Sequence, residues 1–153
     1  MTIAEGASVP DFTAPATGGD FTLSGHRGRK VVIYFYPKDN TPGCTTQAGD
    51  FRDRLDQFEA AGAIVVGVSR DSIRSHDGFR AKHELPFTLI SDADESVCTL
   101  FDVIRMTNMY GKKVRGIERS TFVIDAQGRL ARSWRGVRVP GHVDEVLESV
   151  RAL

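Results

Sequence analysis

Cys44 stands at the end of the run Pro37-Lys38-Asp39-Asn40-Thr41-Pro42-Gly43-Cys44, just after an apolar stretch and where a helical pattern begins. A cysteine in the first turn of a helix meets unpaired backbone N–H groups and the positive end of the helix dipole, both of which favour the thiolate, the nucleophilic form. Gly43 lets another group approach the backbone closely, and Thr41 can set a hydroxyl beside the sulfur. With only 6 Pro and 2 Cys in 153 residues, Pro-x3-Thr-x2-Cys arises by chance about 0.005 times per chain, so the spacing is informative. A small buried hydrophobe, the ordinary role of a free cysteine, is the weaker reading of Cys44.

The elements that must hold this cysteine follow from pattern. Phe12-Thr13 and Phe21-Thr22-Leu23 flank Thr17-Gly18-Gly19-Asp20, which predicts a short hairpin. Lys30 to Tyr36 is a β-branched and aromatic run of the kind buried on both faces of a sheet. Thr41-Pro42 then offers an N-cap and a first-turn proline, and Phe51, Leu55 and Phe58 keep helical spacing, which predicts one long helix running to Gly62. Ala63 to Val68 reads as a strand, Ser72 to Glu84 as a helix, Phe87 to Ile90 as a strand and Asp94 to Phe101 as a short helix. From Val103 to Gly116 the pattern weakens, which predicts a long loop of the kind that borders functional sites. Ser120 to Asp125 and Arg129 to Trp134 read as strands around an Ala126-Gln127-Gly128 turn, and Val143, Val146, Leu147 and Val150 mark a last helix. Strands alternating with helices predict an α/β sandwich whose mixed sheet is covered on both faces.

Composition narrows the classes further. Forty-one per cent hydrophobic and 26 per cent charged residues describe an ordinary globular chain, large enough for one core in one domain. Apolar runs are far too short to cross a bilayer, and the first residues carry no export signal, so a cytoplasmic location is expected. The two cysteines form no disulfide framework, and His26, His76, His83 and His142 form no metal-binding spacing, so no metal is expected. The net charge of zero conceals nine Lys/Arg against two Asp/Glu in residues 103–138 (+7) and six against eleven in residues 44–102 (−5). The basic part has no interleaved aromatics and no reader motif, so nucleic acid is not an expected partner. A P-loop and a dinucleotide-binding glycine run are both missing from the sequence.

Pro37-x3-Thr41-x2-Cys44 resembles the peroxidatic motif of the peroxiredoxins. The fuller run through Gln47, with Gly116-Ile117-Glu118-Arg119-Ser120-Thr121-Phe122-Val123-Ile124-Asp125, is similar to the bacterioferritin comigratory protein (PrxQ) subfamily, and the likeness covers nearly the whole chain. This resemblance implies a thioredoxin-like fold over residues 1–153, a mixed β-sheet flanked by helices with an N-terminal β-hairpin. It also implies reduction of hydrogen peroxide or organic hydroperoxides by a thiol, without a cofactor, by a monomer. Cys44 is then the attacking thiolate, which becomes a sulfenic acid. Arg119, the Thr41 hydroxyl and the backbone N–H groups of Cys44 and a neighbour donate to the peroxide oxygens, and Pro37 shields the sulfur. Without the resemblance, Arg119 reads as a solvated cation at a strand end. Gln47 is equally a partner inside the active-site loop or a solvated helix residue, and Tyr36, Phe122 and Trp134 read as core more than as a substrate channel.

Many members of that subfamily carry a second, resolving cysteine at the position of Gly49, and others at the position of Arg80. Cys98, inside the apolar stretch Ser96-Val97-Cys98-Thr99-Leu100, reads as a buried core thiol. The sulfenic acid is then resolved by an external thiol such as thioredoxin, glutaredoxin or glutathione. The alternative makes Cys98 the resolving thiol after local unfolding. Two further alternatives are weighed: a disulfide reductase needs Cys-x-x-Cys, which Cys44-Thr45-Thr46-Gln47 lacks, and a thioredoxin-fold interaction module or redox sensor would react once without turnover.

Overall fold

In the computed structural model, which describes residues 2–153, the chain opens with a small antiparallel hairpin of β1 (Thr13–Ala14) and β2 (Phe21–Thr22), followed by a 3-10 turn at Leu23–His26. Then come β3 (Lys30–Phe35), α1 (Pro42–Asp53), α2 (Leu55–Ala60), β4 (Ala63–Ser69), α3 (Ile73–His83), β5 (Thr88–Ser91) and α4 (Ser96–Leu100). The chain continues through β6 (Ile104–Met109), β7 (Lys112–Ile117), β8 (Ser120–Ile124), β9 (Leu130–Arg135) and α5 (His142–Arg151). The main sheet has the order β5-β4-β3-β8-β9, with β3, β4 and β5 parallel and β8 and β9 antiparallel to their neighbours. Among the described residues, no helix is long and apolar enough to cross a membrane.

The two faces of this sheet are chemically separate because successive strand residues point to opposite sides. Val31, Ile33 and Phe35 of β3 face one way, with Val66, Val68, Ile90 and Phe122, and are covered by Val97, Cys98 and Phe101 and by the N-terminal hairpin. Val32 and Tyr34 face the other way and are covered by Cys44, Ala48 and Phe51 of α1, Phe58 of α2, Phe79 of α3 and the Val143, Val146, Leu147 and Val150 stripe of α5. The α1 segment is a poor helix in isolation, since Gly49 alone costs about 1 kcal/mol relative to alanine. Burial of Phe51, worth about 1.5–3 kcal/mol, outweighs that and ties the helix to the sheet. At the far end, Lys30 Nζ donates to the carbonyl oxygens of Ala61 and Val150 (3.0 Å each), stapling the C-terminal ends of α2 and α5 to the start of β3.

Two expectations are corrected. The single helix from Thr41 to Gly62 is broken at Arg54 (φ −115, ψ 7), where the guanidinium caps the Asp50 carbonyl (3.0 Å) and pairs with Asp144 of α5 (2.6 Å). That tertiary tie replaces helix continuation. The loop expected from Val103 to Gly116 is an antiparallel ribbon, β6 and β7, turned at Tyr110 (φ 54) and Gly111 (φ 77). Consecutive positive φ values make the tight turn whose twist matches paired strands.

Candidate active site

Strand β3 delivers the chain through buried Tyr36 to an exposed Pro37, and the Pro37–Thr41 loop leads straight into α1. Thr41 takes the N-cap position with extended backbone (φ −85, ψ 153), Pro42 fills the first turn, and Cys44 follows with only 1% of its surface exposed. Cys44 therefore belongs to the first turn of α1, where backbone N–H groups have no partner within the helix. Across from it, the chain leaving β7 places Arg119 half-buried before β8. One nitrogen of that guanidinium, Nη2, donates to Cys44 Sγ at 3.3 Å, and the other, Nη1, donates to Gln47 Oε1. Cys44 and Gln47 are one helical turn apart, so the rigid fork of arginine spans both. The guanidinium lies beside Gly43: a Cβ there would sit 3.3 Å from Nη2, so the arginine would have to give by a few tenths of an ångström to admit one.

The sequence-predicted residues fare differently. Cys44, Arg119 and Gln47 converge, and Gln47 is fully buried rather than solvated. Thr41 Oγ1 donates to the Lys38 carbonyl oxygen (2.9 Å), so its only hydrogen is engaged and its lone pairs remain for accepting. Pro37 opens the loop with an exposed ring. Tyr36, Phe122 and Trp134 do not form a shared channel wall: Tyr36 donates to Asp39 (2.6 Å), Phe122 lies in the opposite core, and Trp134 Nε1 donates to Glu145 (2.9 Å). Among the described residues, the two buried side-chain polar atoms without a protein partner are Gln47 Nε2 and Tyr34 Oη, the latter in the cluster that contains Cys44. Burial above all, with Cys44 and Asp39 nearby, holds the Tyr34 phenol well above its ordinary range. Neither the groove of about 350 Å³ between the Thr17–Phe21 turn and Pro86–Thr88 nor the one of about 430 Å³ beside Trp134, His142 and Glu145 contains Cys44 or Arg119, so cavity size does not locate the chemistry.

Cys98 is buried on the other face of the sheet. Its backbone N–H donates to Asp92 Oδ2 (2.7 Å), and burial, reinforced by that carboxylate, pushes its thiol far up. Gly49 and Arg80 occupy the two other positions at which a resolving thiol was weighed, in α1 and α3.

Comparison with known proteins agrees with this geometry. The AhpC/TSA family profile matches residues 6–133. The chain is 52% identical over 147 residues to Peroxiredoxin Bcp of Xanthomonas campestris pv. campestris, covering 95% of this chain and 92% of that one. It superposes on Xylella fastidiosa PrxQ, solved as a cysteine-to-serine variant, with a TM-score of 0.94 at 44% identity, covering 99% and 98% of the two chains. The Xanthomonas campestris bacterioferritin comigratory protein, studied through trapped intermediate and ligand complexes for its alkyl peroxide reduction activity, gives a TM-score of 0.89 at 49% identity over 98% and 96%. With a thioredoxin-like fold and a cysteine–arginine pair at the head of α1, this chain belongs to the AhpC/TSA family as a peroxiredoxin of the Bcp/PrxQ group, a thiol-dependent peroxidase.

Proposed function

We propose that Cys44 is the peroxidatic sulfur and that the enzyme works with this one cysteine, using an external thiol for reduction. The observation that carries the reading is the Arg119 guanidinium, 3.3 Å from Cys44 Sγ at the start of a helix. The thiolate attacks the terminal oxygen of R–O–O–H, so that an S–O bond forms as the O–O bond breaks. The leaving alkoxide takes a proton and departs as an alcohol, or as water when the substrate is hydrogen peroxide, and the sulfur is left as a sulfenic acid. Negative charge moves along the O–O axis, so Arg119 and the backbone N–H groups of Gly43 and Cys44 stabilise the transition state more than the ground state. Thr41 accepts a hydrogen bond from the peroxide O–H, and Pro37 bounds the loop on the solvent side. Organic hydroperoxides are included as substrates because the Xanthomonas campestris relative is described with alkyl peroxide reduction activity.

A first external thiol then condenses with the sulfenic acid, releasing water and leaving a mixed disulfide. A second thiol displaces Cys44 and departs as the disulfide. Cys98 is an unsuitable first thiol, since bridging needs Cα atoms within about 7 Å and the central sheet separates the two side chains. Thioredoxin, glutaredoxin and glutathione are the candidate reductants, and two free cysteines suit a reducing cytoplasm. A monomer spanning residues 1–153 fits the few large apolar side chains exposed among the described residues: Met106, Tyr110 and Val114 on one ribbon, and Leu153.

The test is the intact mass of reduced protein after one equivalent of hydrogen peroxide without added thiol, repeated on Cys44→Ser and Cys98→Ser. One oxygen gained at Cys44, with turnover on added thiol retained in Cys98→Ser, is the expected result. Loss of two hydrogens, abolished by either substitution, would make Cys98 the resolving thiol. Oxidation without turnover on any thiol would favour a sensor.

A further inference from the structure

Behind the Pro37–Thr41 loop lies a buried polar network that the peroxidase chemistry above does not use. Asp39, two residues before Thr41, is 4% exposed, and His76 of α3 is fully buried. His76 Nδ1 lies 2.7 Å from Asp39 Oδ2, and Nε2 lies 2.9 Å from the Ile90 carbonyl oxygen of β5. Through its two ring nitrogens His76 thus links the Asp39 carboxylate of the loop to the backbone of β5. The Asp39 carboxylate also accepts from Tyr36 Oη (2.6 Å) and Ser75 Oγ (2.8 Å), while its backbone N–H donates to Asp71 Oδ2 (2.9 Å), which Ser69 Oγ holds in turn (2.6 Å). Asp39, Asp71 and Tyr36 are thus the titratable groups that face His76. Donor atoms of Asp39, Asp71 and His76 all lie within 4.8 Å, yet they are bonded to protein hydrogens or to one another, so the cluster reads as a closed network rather than a cation site. Directly after Asp39, Asn40 adopts a left-handed conformation (φ 64), so the loop turns sharply from its buried anchor toward Thr41.

We infer that Asp39 and His76 are positioning residues for the Cys44 site: the pair ties the loop to α3 and β5, and so holds Thr41 and the first turn of α1 against Arg119. Three donors on one carboxylate fix the loop at residue 39, and Thr41 Oγ1 reports that fixed geometry through its bond to Lys38. Freed from the anchor, the loop swings, and the sulfur, the Thr41 lone pairs and the guanidinium fall out of register. This rests on the reading of Cys44 as the reacting sulfur.

The experiment compares two reactions of the same thiol in the full chain, single-turnover oxidation by hydrogen peroxide and alkylation by iodoacetamide, each followed by intact mass. Peroxide reduction needs oriented donors, whereas alkylation needs only an accessible thiolate. In Asp39→Asn and His76→Gln, the peroxide rate constant is expected to fall by about tenfold or more while alkylation holds or rises. Tyr36→Phe and Ser75→Ala, each removing one donor from Asp39, are expected to lose about two- to fivefold in the peroxide reaction alone. Wild-type peroxide rates in Tyr36→Phe and Ser75→Ala, or peroxide and alkylation rates falling together in every variant, would overturn the positioning role. If a variant of the buried pair does not fold, the two hydroxyl deletions decide. Wild-type protein that takes no oxygen at Cys44 would instead overturn the reading of the site itself, and this inference with it.

Discussion

Cys44 and Cys98 are equally hidden, at 1% and 0% exposure, yet they sit in opposite electrostatic settings on opposite faces of one sheet. Cys44 looks into a helix start and a guanidinium, whereas Cys98 lies beside the Asp92 carboxylate with burial as the larger force against its ionisation. Burial alone therefore does not assign a cysteine its chemistry. What separates the two is the sign of the nearest charge, a guanidinium at Cys44 and a carboxylate at Cys98.

The contrast can be broken most severely at the cation. Arg119→Ala should lower the second-order rate constant for oxidation of Cys44 by about 10²–10³-fold, the usual effect of removing one transition-state donor. Arg119→Lys should recover only part of that, since an ammonium lacks the fork that reaches both Cys44 and Gln47. Stopped-flow oxidation checks both, and a loss below about tenfold in the alanine variant would show that the helix start suffices without the cation.

At the other thiol, Asp92→Asn removes a carboxylate that accepts from the backbone N–H groups of Val97 (3.0 Å) and Cys98 (2.7 Å) at the start of α4. The expected loss is about 1 kcal/mol, or about 2–4 °C in melting temperature. The Cys98 thiol should titrate lower than in the wild type while staying above its ordinary range, because burial, its larger cause, remains. Melting curves of the two proteins check the stability loss, and their Cys98 alkylation rates at one pH in the folded range check the thiol.

The smallest effect concerns Glu95, which tethers the β6–β7 ribbon to the Cys98 side of the molecule. The Arg115 guanidinium, with Arg70 behind it, lowers the Glu95 carboxyl from 4.5 to about 2. A depressed folded-state value means that the stabilisation is present above pH 4.5 and is lost as pH falls toward 2. Melting temperature should therefore fall more steeply across that window in the wild type than in Glu95→Gln, with the two profiles parallel above it.

Elements with an apolar face on the sheet were legible in the sequence, because β3, β4, β8 and α5 carry their burial as pattern. The β6–β7 ribbon was not, since most of its residues are exposed and its order comes from ladder hydrogen bonds, the Tyr110-Gly111 turn and the Arg115–Glu95 pair. Neither was the break at Arg54, which answers to Asp144 some ninety positions away. Around the site, the spacing of Pro37, Thr41 and Cys44 pointed to the chemistry, but buried polar partners have no periodicity. Gln47 looked as much like a solvated helix residue as a partner inside the active-site loop, the direction of the Thr41 hydroxyl depended on Lys38, and nothing in the order of residues joins Asp39 to His76.

Lys30 lends the helical layer a mechanical asymmetry. Its ammonium pins the ends of α2 and α5 at the beginning of β3, while the start of α1 lies at the opposite end of that strand, roughly 17 Å away at the usual rise per residue. The layer is thus tied by an ammonium at one end and carries Cys44 at the other. In the one-cysteine cycle proposed above, the external thiol would therefore approach the end of the layer that lies away from this clamp.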